Sequence, residues 1–223
     1  MAKQKKNSNY VTEKTAAAKA ERDAAKLKEL RDKKLKIIAI SIAASVALIA
    51  LIVGILFATG AFDYNPDPTY HATVNFDDGS SLHIELYGND APETVKHFRK
   101  LCEEGHFNGR TAHSLLDGSL YFGTEISGAT GIKGEFSDNG VENKIPMKKG
   151  VVCMARGSEY DSAYGQFFVL TQNNSDIKGQ YAAFGRITEL EGLESLLDKI
   201  TVDANGVVTG SPKITGVSLH AAH

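Results

Sequence analysis

The sequence predicts a mostly β fold, a closed eight-stranded antiparallel barrel capped by two helices, preceded by a single transmembrane helix. Three observations carry that expectation. Ile37 to Phe57, IIAISIAASVALIALIVGILF, is apolar and uncharged. After residue 70, short β-branched or aromatic runs alternate with Gly, Asn, Asp and Ser. Two other segments repeat apolar residues at helical spacing, Val95-Phe98-Leu101-Cys102 and Leu190-Leu193-Leu196-Leu197-Ile200.

Charge divides the chain before any element is assigned. Residues 1–36 hold 12 Lys/Arg and 5 Asp/Glu, residues 37–62 hold neither, and the remainder holds 13 and 22. The overall −2 therefore conceals a basic arm of +7 and a body of −9.

Residues 1–36 are expected to form a basic cytoplasmic arm, helical or disordered. Ala, Lys, Glu and Leu favour helix from Thr15 onward, but Leu27, Leu30 and Leu35 make too thin a stripe to bury. Interspersed acids and a near absence of aromatic residues argue against nucleic acid as a partner.

Residues 37–58 are expected to be a transmembrane signal anchor. Twenty-one helical residues, Ile37 to Phe57, cover roughly 31 Å at ~1.5 Å each, the thickness of a hydrocarbon core. A buried core helix would need a domain around it, which nothing N-terminal supplies. Ala58-Thr59-Gly60 resembles a cleavage site, yet secretory apolar regions are shorter and their basic leaders rarely run to 36 residues. Lys33, Lys34 and Lys36 before the span, with Asp63 and Asp67 after it, place the N-terminus in the cytoplasm and the C-terminal part outside. The expected location is thus the cell membrane, single-pass, with an extracytoplasmic domain.

Residues 59–70, TGAFDYNPDPTY, read as an extended linker, and 71–220 as the folded domain. His71–Phe76 and Ser81–Tyr87 form a hairpin about Asp77-Asp78-Gly79, with Leu82, Ile84 and Leu86 on its buried face. Asp90 as N-cap, Pro92 in the first turn and Glu93 open a helix that Gly105 ends. Glu189–Ile200 is a second helix, and Lys213–Leu219 a last strand that closes the barrel.

Between them lie three further strand runs, Val151–Ala155, Gly165–Leu170 and Gly179–Arg186. In Gln166-Phe167-Phe168 side chains alternate, so Gln166 and Phe168 share a face. An amide beside a ring suits a peptide groove, although from these residues alone an ordinary barrel strand whose Gln meets water is the favoured reading. Cys102 and Cys153 fall on apolar positions and are expected to be free thiols. No His/Cys/Asp/Glu cluster has metal-ligand spacing and no phosphate-binding Gly loop occurs, so neither metal nor cofactor is expected.

From Thr73 to Leu219 the chain resembles the cyclophilins, a family of peptidyl-prolyl cis-trans isomerases. The residues that carry the resemblance are IELYGNDAPETVKHFRKLCEEGHFNGRTAHSLLDGSLYFG, then GVVCMARG, GQFF and AFGRI. The resemblance implies an eight-stranded barrel with two capping helices, rotation about the bond preceding proline, and no covalent chemistry. An enzyme of that kind stabilises a twisted amide whose uncatalysed barrier is about 18–20 kcal/mol.

Carried over by position, the resemblance implies Gln166 as the backbone-gripping amide. Phe168, Leu120, Ile177 and Ala155 become groove residues, His113 matches the His of the family's Phe-His-Arg run, and Phe122 and Tyr181 stand at altered groove positions. The family's catalytic Arg falls on Ser114, so the active site reads as degenerate. Arg156 or Arg110 could substitute for it; either could equally be a surface arginine paired with an acid such as Glu159. Two functions follow. One is a membrane-anchored isomerase of weakened activity that assists folding of exported proteins. The other is a non-catalytic module binding proline-containing peptides or a protein. Proline-containing peptides or exported polypeptides are the expected partners of a monomer.

Overall fold

The structure, a computed structural model, describes residues 2–58, 66–125 and 128–222. The chain divides into two compact units between residues 62 and 63. The first holds one helix among its described residues, α1 (Ala2–Ala58). Inside its apolar stretch Ser41 and Ser45 donate to the carbonyls of Ile37 and Ser41, both at 2.9 Å, so neither hydroxyl is left without an acceptor. Ala25–Ile55 is long and apolar enough to cross a membrane, and none of it is buried.

The second unit is built on a curled antiparallel sheet. Its strands are β1 (Tyr70–Phe76), β2 (Ser81–Leu86), β3 (Ala112–Leu116), β4 (Ser119–Gly123), β5 (Val151–Met154), β6 (Gln166–Leu170), β7 (Ala183–Ile187) and β10 (Ile214–Ala221). Their order across the sheet is β10-β1-β2-β7-β5-β6-β4-β3. Helices α2 (Pro92–Glu103) and α3 (Leu190–Asp198) pack on it, and β8 (Thr201–Val202) with β9 (Val208–Gly210) adds a separate hairpin.

The sheet is not closed, contrary to the expected barrel. Its end strands β3 and β10 meet through one bridge, Thr111 to Lys213, beside reciprocal bonds of 2.7 Å between Ile214 and the Gly109-Arg110 turn. Closure stops there because β3 turns its free edge to the small hairpin. Ser114 bridges Val207, and the Leu115 N–H donates to the Gly206 carbonyl at 2.8 Å. Gly206 has φ +77°, and a Cβ there would collide with the Leu116 side chain, so only glycine lets this turn approach β3.

Of the expected linker, residues 59–70, only 66–70 are described. Residues 59–65 lie outside the described ones, while Pro66 is buried and Thr69 already donates its N–H to the Leu86 carbonyl at 2.8 Å. Gly179–Ala182, read as part of a strand, instead forms the turn before β7.

Phe98 and Leu101 of α2 enter the sheet interior, where Phe98 meets Phe107 and Phe167 at ring distances of 5.5 Å each. Burying each such side chain contributes about 1.5–3 kcal/mol. The cap of α2 differs from the expected Asp90. Ala91 is the N-cap and gives no side-chain bond. Buried Glu135, 42 residues away along the chain, takes over. Its carboxylate accepts the N–H groups of Glu93 and Thr94 at 3.0 and 2.8 Å and the Thr94 hydroxyl at 2.7 Å. A carboxylate is favoured there because free N–H groups and the helix dipole both present positive charge.

Cys102 and Cys153 are free and buried. Burial pushes the Cys102 thiol up to about 12 and raises that of Cys153 as well, so both stay protonated at neutral pH.

Candidate functional site

Strand register on the outer face of the sheet assembles a row of residues from distant parts of the chain. Ser114 pairs with Tyr121 across β3 and β4, Tyr121 with Phe168 across β4 and β6, and Phe168 with Cys153 across β6 and β5. Directly paired residues of antiparallel strands share a face, so the four side chains lie in one line. Phe168 is 1 % exposed, with the half-buried ring of Tyr121 at 5.1 Å and that of Tyr181 edge-on at 5.2 Å. Ala155 and Ile177 belong to the same apolar cluster. A ligand ring reaching Phe168 has to move one of the two tyrosines.

Gln166 shares this face two residues along β6. Its cross-strand partner is Gly123, which carries no side chain and has φ +89°, where a Cβ would collide with the Gly165 carbonyl oxygen. Gln166 itself lines a cavity of about 220 Å³ whose other walls include Ala155, Arg156, Ser162 and Tyr164.

Arg156 is held in place rather than free in solvent. Its Nε donates to the Gln180 carbonyl at 3.0 Å and its Nη1 to the carbonyls of Gly157 and Ser158 at 2.9 and 3.3 Å. The guanidinium lies 5.0 Å from the Tyr181 ring centroid, 5.1 Å from that of Tyr160 and 5.2 Å from that of Phe136. Three ring faces hold the cation by cation–π attraction. Its partners are thus carbonyls and rings, where an acid such as Glu159 was the alternative. Arg110 is exposed on the turn before β3, where its backbone carbonyl accepts the Ile214 N–H at 2.7 Å, and it does not line the cavity beside Gln166.

Ser114 directs its hydroxyl at the Gly206 carbonyl, 3.3 Å away. That carbonyl also receives the Leu115 N–H, so the hairpin turn takes up the polar atoms of both residues. His113 stands at the register shift between Ala112 and Ser114, its ring 6.1 Å from Tyr121. Its Nε2 is buried without a partner, and burial lowers its pKa, which keeps the imidazole neutral.

The structure therefore brings Ala155, Arg156, Gln166, Phe168, Ile177 and Tyr181 to one face, with Ser114 and His113 at its β3 end. Leu120 and Phe122 are not there. Both point into the sheet interior, 0 % and 1 % exposed, and Phe122 stacks on Phe167 at 5.2 Å. The residue on the groove face of β4 is Tyr121, which sequence reasoning passed over. Alternation in Ser119-Leu120-Tyr121-Phe122 contained the signal, since Leu120 and Phe122 must share one face and Tyr121 take the other.

An apolar floor, two phenol rings, an amide and a guanidinium can hold a small ring and grip carbonyl groups around it. Among the described residues no group of three or more His, Cys, Asp or Glu could hold a metal ion.

Comparison with known proteins bears on this arrangement. The family model "Cyclophilin type peptidyl-prolyl cis-trans isomerase/CLD" matches residues 71–219. A peptidyl-prolyl cis-trans isomerase of Helicobacter pylori is 35% identical over 138 residues, covering 59% of this chain and 80% of that one. A probable peptidyl-prolyl cis-trans isomerase of Brucella suis is 28% identical over 193 residues, covering 80% of this chain and 94% of that one. In fold, the chain is similar to a Cryptosporidium parvum cyclophilin crystallised in the presence of the dipeptide Ala-Pro. The TM-score is 0.59 at 19% identity, over 68% of this chain and 99% of that one. With a matched stretch that takes in every strand from β2 to β9 and both capping helices, the chain belongs to the cyclophilin-type peptidyl-prolyl cis-trans isomerase family.

Proposed function

We propose that the chain is a membrane-anchored, outward-facing peptidyl-prolyl cis-trans isomerase that acts on proline-containing segments of exported polypeptides. In this reading residues 1–36 are a cytoplasmic arm, 37–58 an uncleaved anchor and 71–220 the extracytoplasmic enzyme, working as a monomer without a cofactor. The observation that carries it is that Arg156 and Gln166 line one cavity beside Ala155, with the guanidinium against Tyr181 and Tyr181 against Phe168.

The amide of Gln166 grips substrate backbone and the rings of Tyr121, Phe168 and Tyr181 enclose proline. Arg156 supplies the cation that Ser114 lacks, stabilising the twisted amide whose nitrogen regains its lone pair. A serine hydroxyl in place of a charged donor forfeits about 1.5–3 kcal/mol, roughly ten- to more than a hundredfold in rate, and Arg156, whose Nε and Nη1 already donate to backbone carbonyls, recovers only part of it. The activity is therefore weak for its family.

One observation favours the second reading, a non-catalytic module that binds proline-containing segments or a protein partner. The Ser114 hydroxyl, at the position where the family holds its arginine, is directed to the Gly206 carbonyl rather than to the groove. A protease-coupled assay of a proline tetrapeptide on the detergent-solubilised chain separates the two. Measurable turnover by the native protein supports the enzyme; turnover that appears only in Ser114→Arg supports the binding module.

A further inference from the structure

We propose that the cationic collar at the basic end of the apolar stretch of α1 binds the headgroups of anionic phospholipids. The inference rests on the membrane-spanning reading of that helix and adds a ligand to it.

Between residues 25 and 36 stand Lys26, Lys28, Arg31, Lys33, Lys34 and Lys36 against two acids, Glu29 and Asp32, and all of these side chains are exposed. The helix passes from this segment into the apolar stretch without a break. The cations therefore cannot swing away from the span on a hinge. Lys33, Lys34 and Lys36 lie within about 6 Å of Ile37 along the axis at ~1.5 Å per residue, the depth of a headgroup layer about 5–8 Å thick.

The distribution around the helix matters as much as the height. An interfacial helix lies flat by burying one uncharged apolar face. Leu27, Leu30 and Leu35 fall on one arc here, but Arg31 and Lys34 fall on the same arc at about 100° per residue. No face is free of cations, so the segment suits an upright helix surrounded by phosphates. Only one ion pair is seen among these described side chains, Lys33 with Glu29 at 2.8 Å, and Lys34 and Lys36 next to the span have none. The two acids and the absence of aromatic residues from 25 to 36 make single-stranded nucleic acid a poorer fit, since it needs rings to stack on. Phosphate groups at fixed depth need only the charge.

The test uses the full chain in vesicles of phosphatidylcholine containing phosphatidylglycerol, with spin-labelled forms of each lipid reporting the motionally restricted shell. The expected result is a severalfold preference for labelled phosphatidylglycerol, reduced to near parity in the triple variant Lys33→Gln, Lys34→Gln, Lys36→Gln and by high salt. Retention in the membrane pellet after alkaline washing is measured alongside. A retained chain with no preference, or an unchanged preference in the triple variant, would overturn the collar alone. Loss of the native chain from the pellet would overturn the anchor and the collar together.

Discussion

Tyr121 stands directly opposite Phe168 across β4 and β6, the two rings 5.1 Å apart and inclined at 37°. Its neighbour Phe122 pairs in the same register with Phe167 on the opposite side of the sheet. One strand thus supplies a groove ring and a core ring at adjacent positions, and their loss should be felt differently. Tyr121→Ala is expected to raise KM for a proline tetrapeptide severalfold with a small change in thermal midpoint. Phe122→Ala should cost about 3–5 kcal/mol of stability through the cavity it leaves. Urea unfolding and steady-state kinetics on both variants check the assignment, and equal losses of stability would refute it.

The first turn of α2 depends on a carboxylate from outside the helix. Glu135→Ala removes the acceptor of two backbone N–H groups and of the Thr94 hydroxyl, and it leaves donors buried. A destabilisation of about 2–3 kcal/mol is expected, with Glu135→Gln retaining about half of the stability. Urea denaturation gives both values.

Acidification should weaken the fold near pH 6. Burial lowers the pKa of His97 and of His113 from the ordinary 6.5. The folded protein therefore binds fewer protons than the unfolded chain once the pH drops below about 6.5, and stability present above that pH is lost as pH falls toward the folded values. Asp161, whose pKa the Gly134 N–H and the Asn139 amide lower, acts only at more acid pH. The thermal midpoint should thus fall between about pH 7.5 and 5.5. In the double variant His97→Gln, His113→Gln the slope should flatten, as scanning calorimetry across that range would show.

Much of the fold was legible in local patterns. Alternation in Ser81–Leu86 and helical spacing in Val95–Leu101 correspond to faces that are buried in the structure. What escaped depended on partners distant in sequence. The Glu135 cap joins positions 42 residues apart, and β3 leaves the closing edge because a glycine turn at 206 reaches it first. For the site, the shared face of Gln166 and Phe168 followed from a period of two. The same rule applied to β4 points to Tyr121, whereas carrying family positions across one by one led to Leu120 and Phe122. The enclosure of Arg156 by Phe136, Tyr160 and Tyr181 had no local signal, because the three rings come from separate segments.

In the proposed mechanism a guanidinium from Arg156 stands in for the one absent at Ser114. Its most direct test is the isomerisation rate of a proline tetrapeptide by the native chain, Arg156→Lys and Arg156→Ala, each with its thermal midpoint. The expected result is a loss of roughly ten- to a hundredfold in kcat/KM for Arg156→Ala and a smaller loss for Arg156→Lys, with the fold intact. A rate unchanged in Arg156→Ala would contradict it.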